Sequence, residues 1–110
     1  MWRPHLCDDR ESMAALFTVV AGMKAKPGKE EDLRRAVLAL IEPTRREDGC
    51  AQYDLHVHTK DPGRFLFYEN WASPEHLERH AASAHLRAFE KIVGDLLAEP
   101  MHVETYRRIA

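Results

Sequence analysis

From Cys50 to Trp71 the sequence alternates on either side of a turn, and that hairpin restricts the fold more than any other stretch. In Cys50 to Thr59, CAQYDLHVHT, one face carries Ala51, Tyr53, Leu55 and Val57, and the other Gln52, Asp54, His56 and His58. A period of two puts successive side chains on opposite faces of a strand, so this is a half-buried strand. Lys60-Asp61-Pro62-Gly63-Arg64 follows, dense in turn-forming residues. The chain then returns as Phe65-Leu66-Phe67-Tyr68-Glu69-Asn70-Trp71, with Phe65, Phe67, Glu69 and Trp71 on one face. So short a connection requires the two strands to pair antiparallel.

The flanking segments supply what this hairpin packs against. ALFTVVAGMKA, residues 15–25, is β-branched and apolar on both faces, which suits a strand covered on both sides. Lys26-Pro27-Gly28-Lys29 ends it. From Glu30 the period becomes helical, with Leu33, Ala36, Val37, Leu40 and Ile41 on one stripe and acidic residues in the first turn. Pro43 ends or kinks this helix, and Gly49 closes the segment. After the aromatic strand, Ser73 and Pro74 form an N-cap and first position for a short helix to about His80. A second helix starts near Ser83, carries Leu86, Phe89, Val93, Leu96 and Leu97 on one stripe, and ends at Glu99-Pro100. Residues 101–107, MHVETYR, close the chain as a strand. The order strand, helix, strand, strand, helix, strand predicts an α+β, ferredoxin-like split βαβ fold. Its four-stranded antiparallel sheet has helices on one face only. Apolar side chains on the other face predict a homodimer in which two sheets pack together.

Composition narrows the function classes. At 110 residues, 45% hydrophobic and 31% charged, the chain is one ordinary globular domain. We read residues 1–13 as a flexible tail and residues 14–110 as the domain. A formal net charge of −2 without a basic stripe argues against a nucleic-acid partner. No apolar run approaches the ~20 residues of a membrane span, and the N-terminus has no signal-peptide core, so the cytoplasm is the expected compartment. Cys7 and Cys50 make no disulfide framework, and Cys50 reads as a small buried hydrophobe rather than a catalytic thiol. His56 and His58 share a face with Asp54, but the spacing is a weak metal signal and no metal site is expected. No glycine-rich phosphate loop, Ser-His-Asp order or Cys-x-x-Cys pair is present.

Four segments in this order, KPGKEEDL, PTRREDGCAQYDL, FYENW and EHLERH, resemble the antibiotic biosynthesis monooxygenase family, and the likeness runs from about Ala14 to Arg107. The resemblance implies a ferredoxin-like fold that dimerises into an α/β barrel, with a pocket between sheet and helices. It matches Trp71 and Glu69 to the family's E-x-W motif, His80 to the histidine of the following helix, and Tyr53 to the tyrosine of the second strand. Members include cofactor-free quinol or phenol oxygenases and haem-degrading oxygenases. The latter use a first-strand asparagine where this chain has about Ala21.

An oxygenase without metal or flavin needs a base to deprotonate a phenolic substrate, whose anion then reduces dioxygen. It also needs an apolar pocket with flat walls. The expected catalytic residues are therefore His80 as base, Trp71 as wall, and Glu69 to orient or stabilise His80. Tyr53, Phe65, Phe67, His85 and Phe89 are the expected substrate-binding residues. For Phe65 and Phe67 the alternative is plain sheet core, and for Glu69 a structural acid. For His85 the residues favour a satisfied core histidine over a pocket-facing one, and His76 reads as a surface residue. The expected function is cofactor-free oxidation of a quinol or phenolic compound with dioxygen. The alternatives are a binding module for a hydrophobic metabolite and, third, a haem-degrading enzyme.

Overall fold

Strand β1 (Phe17–Lys24) leads to helices α1 (Glu30–Leu38) and α2 (Ile41–Arg45), then to the hairpin β2 (Cys50–Val57) and β3 (Arg64–Trp71). Helices α3 (Pro74–Ala81) and α4 (Ala84–Val93) and strand β4 (His102–Arg107) complete the chain. This computed structural model describes residues 16–110, so the tail expected over residues 1–13 lies outside it. The sheet is antiparallel throughout, in the order β2-β3-β1-β4. This is the ferredoxin-like α+β arrangement that the element order predicts.

Alternation decides which side of the sheet is buried. Val19, Ala21 and Met23 of β1, Tyr53 of β2, and Phe65, Phe67 and Trp71 of β3 form one core cluster with Leu33, Val37, Phe89 and Val93 of the helices. Leu33, Val37 and Trp71 have no exposed surface. Removing a side chain of this size from such a site costs about 2–5 kcal/mol, because the hole does not fully collapse. On the opposite face of β1 the residues are only half-buried. Within one chain, the first strand is covered on one side rather than on two.

Three local differences from the expected pattern have physical causes. The long stripe from Leu33 to Ile41 is broken at Ala39-Leu40, where Leu40 bonds back to the Val37 carbonyl rather than one residue further. Pro43 lies inside α2, where it has no N–H to offer the Ala39 carbonyl, so the chain restarts as a short separate helix. In β2 the register shifts between Cys50 and Gln52. This bulge turns Cys50 toward the core beside Tyr53 and leaves Ala51 exposed, against the strict alternation. Finally, α4 stops at Val93 rather than reaching Glu99. Leu96 and Leu97 still pack on the core, but from a turn and an isolated β-bridge to Ala25: Lys26 N–H donates to the Leu96 carbonyl and Ala98 N–H to the Lys24 carbonyl. Pairing with the end of β1 replaces the last helical turn.

Candidate active site

Between the helices and the sheet lies a cavity of about 230 Å³ with a mostly apolar wall. Val19, Ala21 and Phe67 form its floor, Leu77 and Phe89 its roof, and Tyr53, Glu69, His80 and Glu90 are the polar side chains that line it. A chiefly apolar hollow with a few convergent polar groups is the general form of a small-molecule site.

His80 reaches this wall because Ser73 and Pro74 start α3 at a fixed point. The Ser73 hydroxyl accepts from the His76 N–H at 3.2 Å, satisfying one free donor of the first turn. Two turns later His80 falls on the inward face and is 4% exposed. Its ring lies 4.7 Å from that of Trp71, tilted by 33°, and meets Tyr53 edge-on at 5.6 Å. Tyr53 in turn stacks on Phe67 at 4.7 Å. Aromatic neighbours on two sides fix the plane of the imidazole.

Its hydrogen bonding fixes the tautomer. His80 Nδ1 lies 2.7 Å from Glu47 Oε2. Burial lowers the pKa of His80 below the usual histidine value, against the opposing pull of Glu47. The ring is therefore neutral near pH 7, and the contact is a hydrogen bond from Nδ1–H to the carboxylate. Nε2, which takes no partner among the described residues, is left with its lone pair on a residue that lines the cavity.

Glu69 is engaged elsewhere. The indole Nε1–H of Trp71 donates to Glu69 Oε1 at 2.8 Å. Burial raises the pKa of Glu69 to about 7, with Glu47 adding to the rise and the Trp71 bond opposing it. Burial likewise raises Tyr53, helped by the Glu69 charge, so its phenol keeps its proton. Cys50 is pushed up to about 11, first by burial and then by Glu47 and Glu69, which leaves an unreactive thiol.

Of the residues singled out from the sequence, Tyr53, Phe67, Glu69, His80 and Phe89 line the cavity. Trp71 stands behind His80, fully buried, and supports it rather than facing the hollow. Phe65 is buried at the other end of the same strand and does not reach the cavity. His85 also lies outside the lining, with its Nε2 2.7 Å from Glu47 Oε2. The orienting part expected of Glu69 is thus taken by Glu47. Sequence reasoning passed over Glu47 because it stands in the charged run Arg45-Arg46-Glu47-Asp48, which reads as a solvated loop. Arg45 holds that loop in place by donating to the Tyr53 carbonyl and to Asp54, both at 3.0 Å. Gly49 closes it with φ at 81°, and a Cβ there would collide with the His76 ring. The other histidine group does not assemble: Asp54 is taken by Arg45 and Gln52, and His58 Nδ1 accepts from the Lys60 N–H.

The profile of one family, antibiotic biosynthesis monooxygenase, matches residues 16–92. The chain belongs to that family. Among relatives of this monooxygenase-family chain, Rv0793 of Mycobacterium tuberculosis is 35% identical over 91 residues, spanning 83% of this chain and 89% of that one. YgiN of Escherichia coli, by name a probable quinol monooxygenase, is 33% identical over 95 residues, spanning 74% and 89%. The crystal structure of PA3566 from Pseudomonas aeruginosa superposes with a TM-score of 0.84 at 36% identity, covering 89% of this chain and 98% of that one. No helix among the described residues is long and apolar enough to cross a membrane.

Proposed function

We propose that this family member is a monooxygenase that oxidises a quinol or phenolic small molecule with dioxygen and without a bound cofactor. The observation that carries this reading is His80, buried beside an apolar cavity, with Nδ1 held by Glu47 and Nε2 without a partner among the described residues. In this mechanism Nε2 accepts the proton of the substrate hydroxyl, and the resulting anion gives up an electron to dioxygen far more readily than the neutral phenol does. Recombination at the ring carbon forms a peroxide, whose O–O bond then breaks. One oxygen remains on the ring as a quinone carbonyl, and the other leaves as water with the two hydrogens lost from the substrate. Glu69, whose pKa burial raises to about 7 so that both its forms are populated near neutral pH, lines the same cavity and can give the departing oxygen its proton. Tyr53 and Phe67 hold a flat ring. The name of the Escherichia coli relative favours a quinol among candidate substrates.

The site belongs, in this proposal, to a homodimer of the cytoplasm. Leu66, Tyr68 and Tyr106 on the sheet face away from the helices are 39%, 37% and 52% exposed and provide the apolar surface for a second copy.

Oxygen uptake with a panel of quinols and phenols tests the reading. The wild-type protein consumes oxygen with at least one of them, and His80→Ala lowers the rate by about 10²–10⁴-fold while remaining folded. Wild-type protein that binds such compounds but consumes no oxygen would reduce the site to a binding pocket.

A further inference from the structure

Behind the cavity wall, two imidazoles converge on one carboxylate oxygen. His80 Nδ1 and His85 Nε2 each lie 2.7 Å from Glu47 Oε2, and the three atoms are all within 4.8 Å of one another. They come from separate elements: the loop after α2, the last turn of α3 and the first turn of α4. The side chains of Glu47, His80 and His85 are 15%, 5% and 22% exposed, so the group is sheltered yet reachable.

Hydrogen bonds account for each contact singly. What they leave open is why both rings meet the same oxygen. His80 Nε2 and His85 Nδ1 have no hydrogen-bond partner among the described residues, so each ring can carry its proton there instead. Each ring then turns a nitrogen lone pair toward the Glu47 carboxylate, so that three donor atoms lie within 4.8 Å of one another. Two histidines with one carboxylate, and positions left for water, form a recurrent donor set for divalent transition ions. The Ser83 hydroxyl, 3.3 Å from His85 Nε2 and donating to the His80 carbonyl, braces the turn between the two histidines.

We propose that Glu47, His80 and His85 form a binding site for a divalent first-row transition ion, zinc foremost, and that the bound ion inhibits the enzyme. The inhibitory half rests on His80 being the base. With the ion on Nδ1, the neutral ring carries its proton on Nε2, and the nitrogen meant to accept a proton becomes a donor. The ion is thus a regulator that excludes the reaction, not a cofactor for it.

The test titrates the folded protein, without substrate, with Co²⁺ read by its visible absorption and then with Zn²⁺ as competitor. One Co²⁺ per chain is expected, displaced by Zn²⁺, with affinity at least tenfold weaker in His85→Ala and in Glu47→Gln. Circular dichroism confirms that both variants are folded. The double substitution His56→Ala with His58→Ala, on the opposite face, leaves the binding unchanged. No Co²⁺ spectrum in the wild type, or one that His85→Ala and Glu47→Gln leave intact, overturns the site. Because binding is read without turnover, that result leaves the oxygenase proposal standing. Zinc that binds here yet leaves oxygen uptake unaltered overturns the inhibitory role and, with it, His80 as base.

Discussion

The two faces of the sheet are made by the same strands and use similar residue types, yet only one of them is closed. On the helix side Phe65, Phe67 and Trp71 are at most 2% exposed, and the acid among them, Glu69, takes a hydrogen bond from Trp71. One residue along on the same strand, Leu66 and Tyr68 are more than a third exposed. The polar groups differ in the same way. Inside, burial moves Glu69, His80 and Tyr53 from their ordinary pKa values, and neighbouring carboxylates add to or oppose each shift, because water is largely excluded. Outside, Thr18, Asn70, Gln52 and Asp54 form a hydrogen-bonded ladder across β1, β3 and β2 that ends on Arg45. There the hydrogen bonds from Gln52 and Arg45 hold Asp54 in its charged form rather than displacing it toward the neutral one. Burial, rather than residue type, separates the two faces.

The comparison breaks most visibly at Trp71. Trp71→Ala opens a hole in the closed face and strips Glu69 of its donor, so an expected loss of about 3–5 kcal/mol should be read by chemical denaturation. A loss below about 1 kcal/mol would mean that the inner face is less tightly packed than its exposure indicates.

Glu69 sharpens the contrast through pH. Its pKa is raised from the ordinary 4.5 to about 7, so the folded chain holds this proton more tightly than the unfolded chain does. Its contribution is fully present below about pH 4.5 and is lost as pH rises through about 7. Glu69→Gln, which keeps an acceptor for Trp71, removes that dependence. Measured by denaturation at pH 4.5 and pH 8, the difference in stability between variant and wild type should shift by on the order of 3 kcal/mol in favour of the variant at the higher pH. A constant difference would show that Glu69 is not held neutral.

The open face should give the smallest change in fold stability. Tyr68→Lys, which sets a cation opposite Asp54 of β2, is expected to alter the stability of the isolated chain by no more than about 0.5 kcal/mol. Under the homodimer proposal it lowers the mass measured by light scattering from two chains to one. A wild-type protein that is monomeric at high concentration would remove that role from the outer face.

Much of this was legible because it is local. The hairpin, the inward set Phe65, Phe67, Glu69 and Trp71, the Ser73 cap and the turn signals at Lys26-Pro27-Gly28-Lys29 depend on side chains a few residues apart. Periodicity and capping report on such neighbours directly. The misread points depend on more distant partners. The β2 bulge, which exchanged Cys50 for Ala51 on the inner face, is set by pairing with β3. The early end of α4 is set by the hydrogen bonds of Leu96 and Ala98 with the chain around the end of β1.

The sequence by itself determined the order of elements, the closed face of the sheet, and a histidine placed on that face by a capped helix. Only the tertiary structure decided what that histidine touches. Glu47 is 33 residues from His80 and 38 from His85 along the chain, inside a charged run that nothing local marks as buried. Folding the α2–β2 loop beneath α3 and α4 brings the three together. It gives His80 its tautomer, leaves Trp71 as support rather than wall, and takes Phe65 out of the cavity. Periodicity reports the direction of a side chain from its own element, whereas a site is made by the convergence of several.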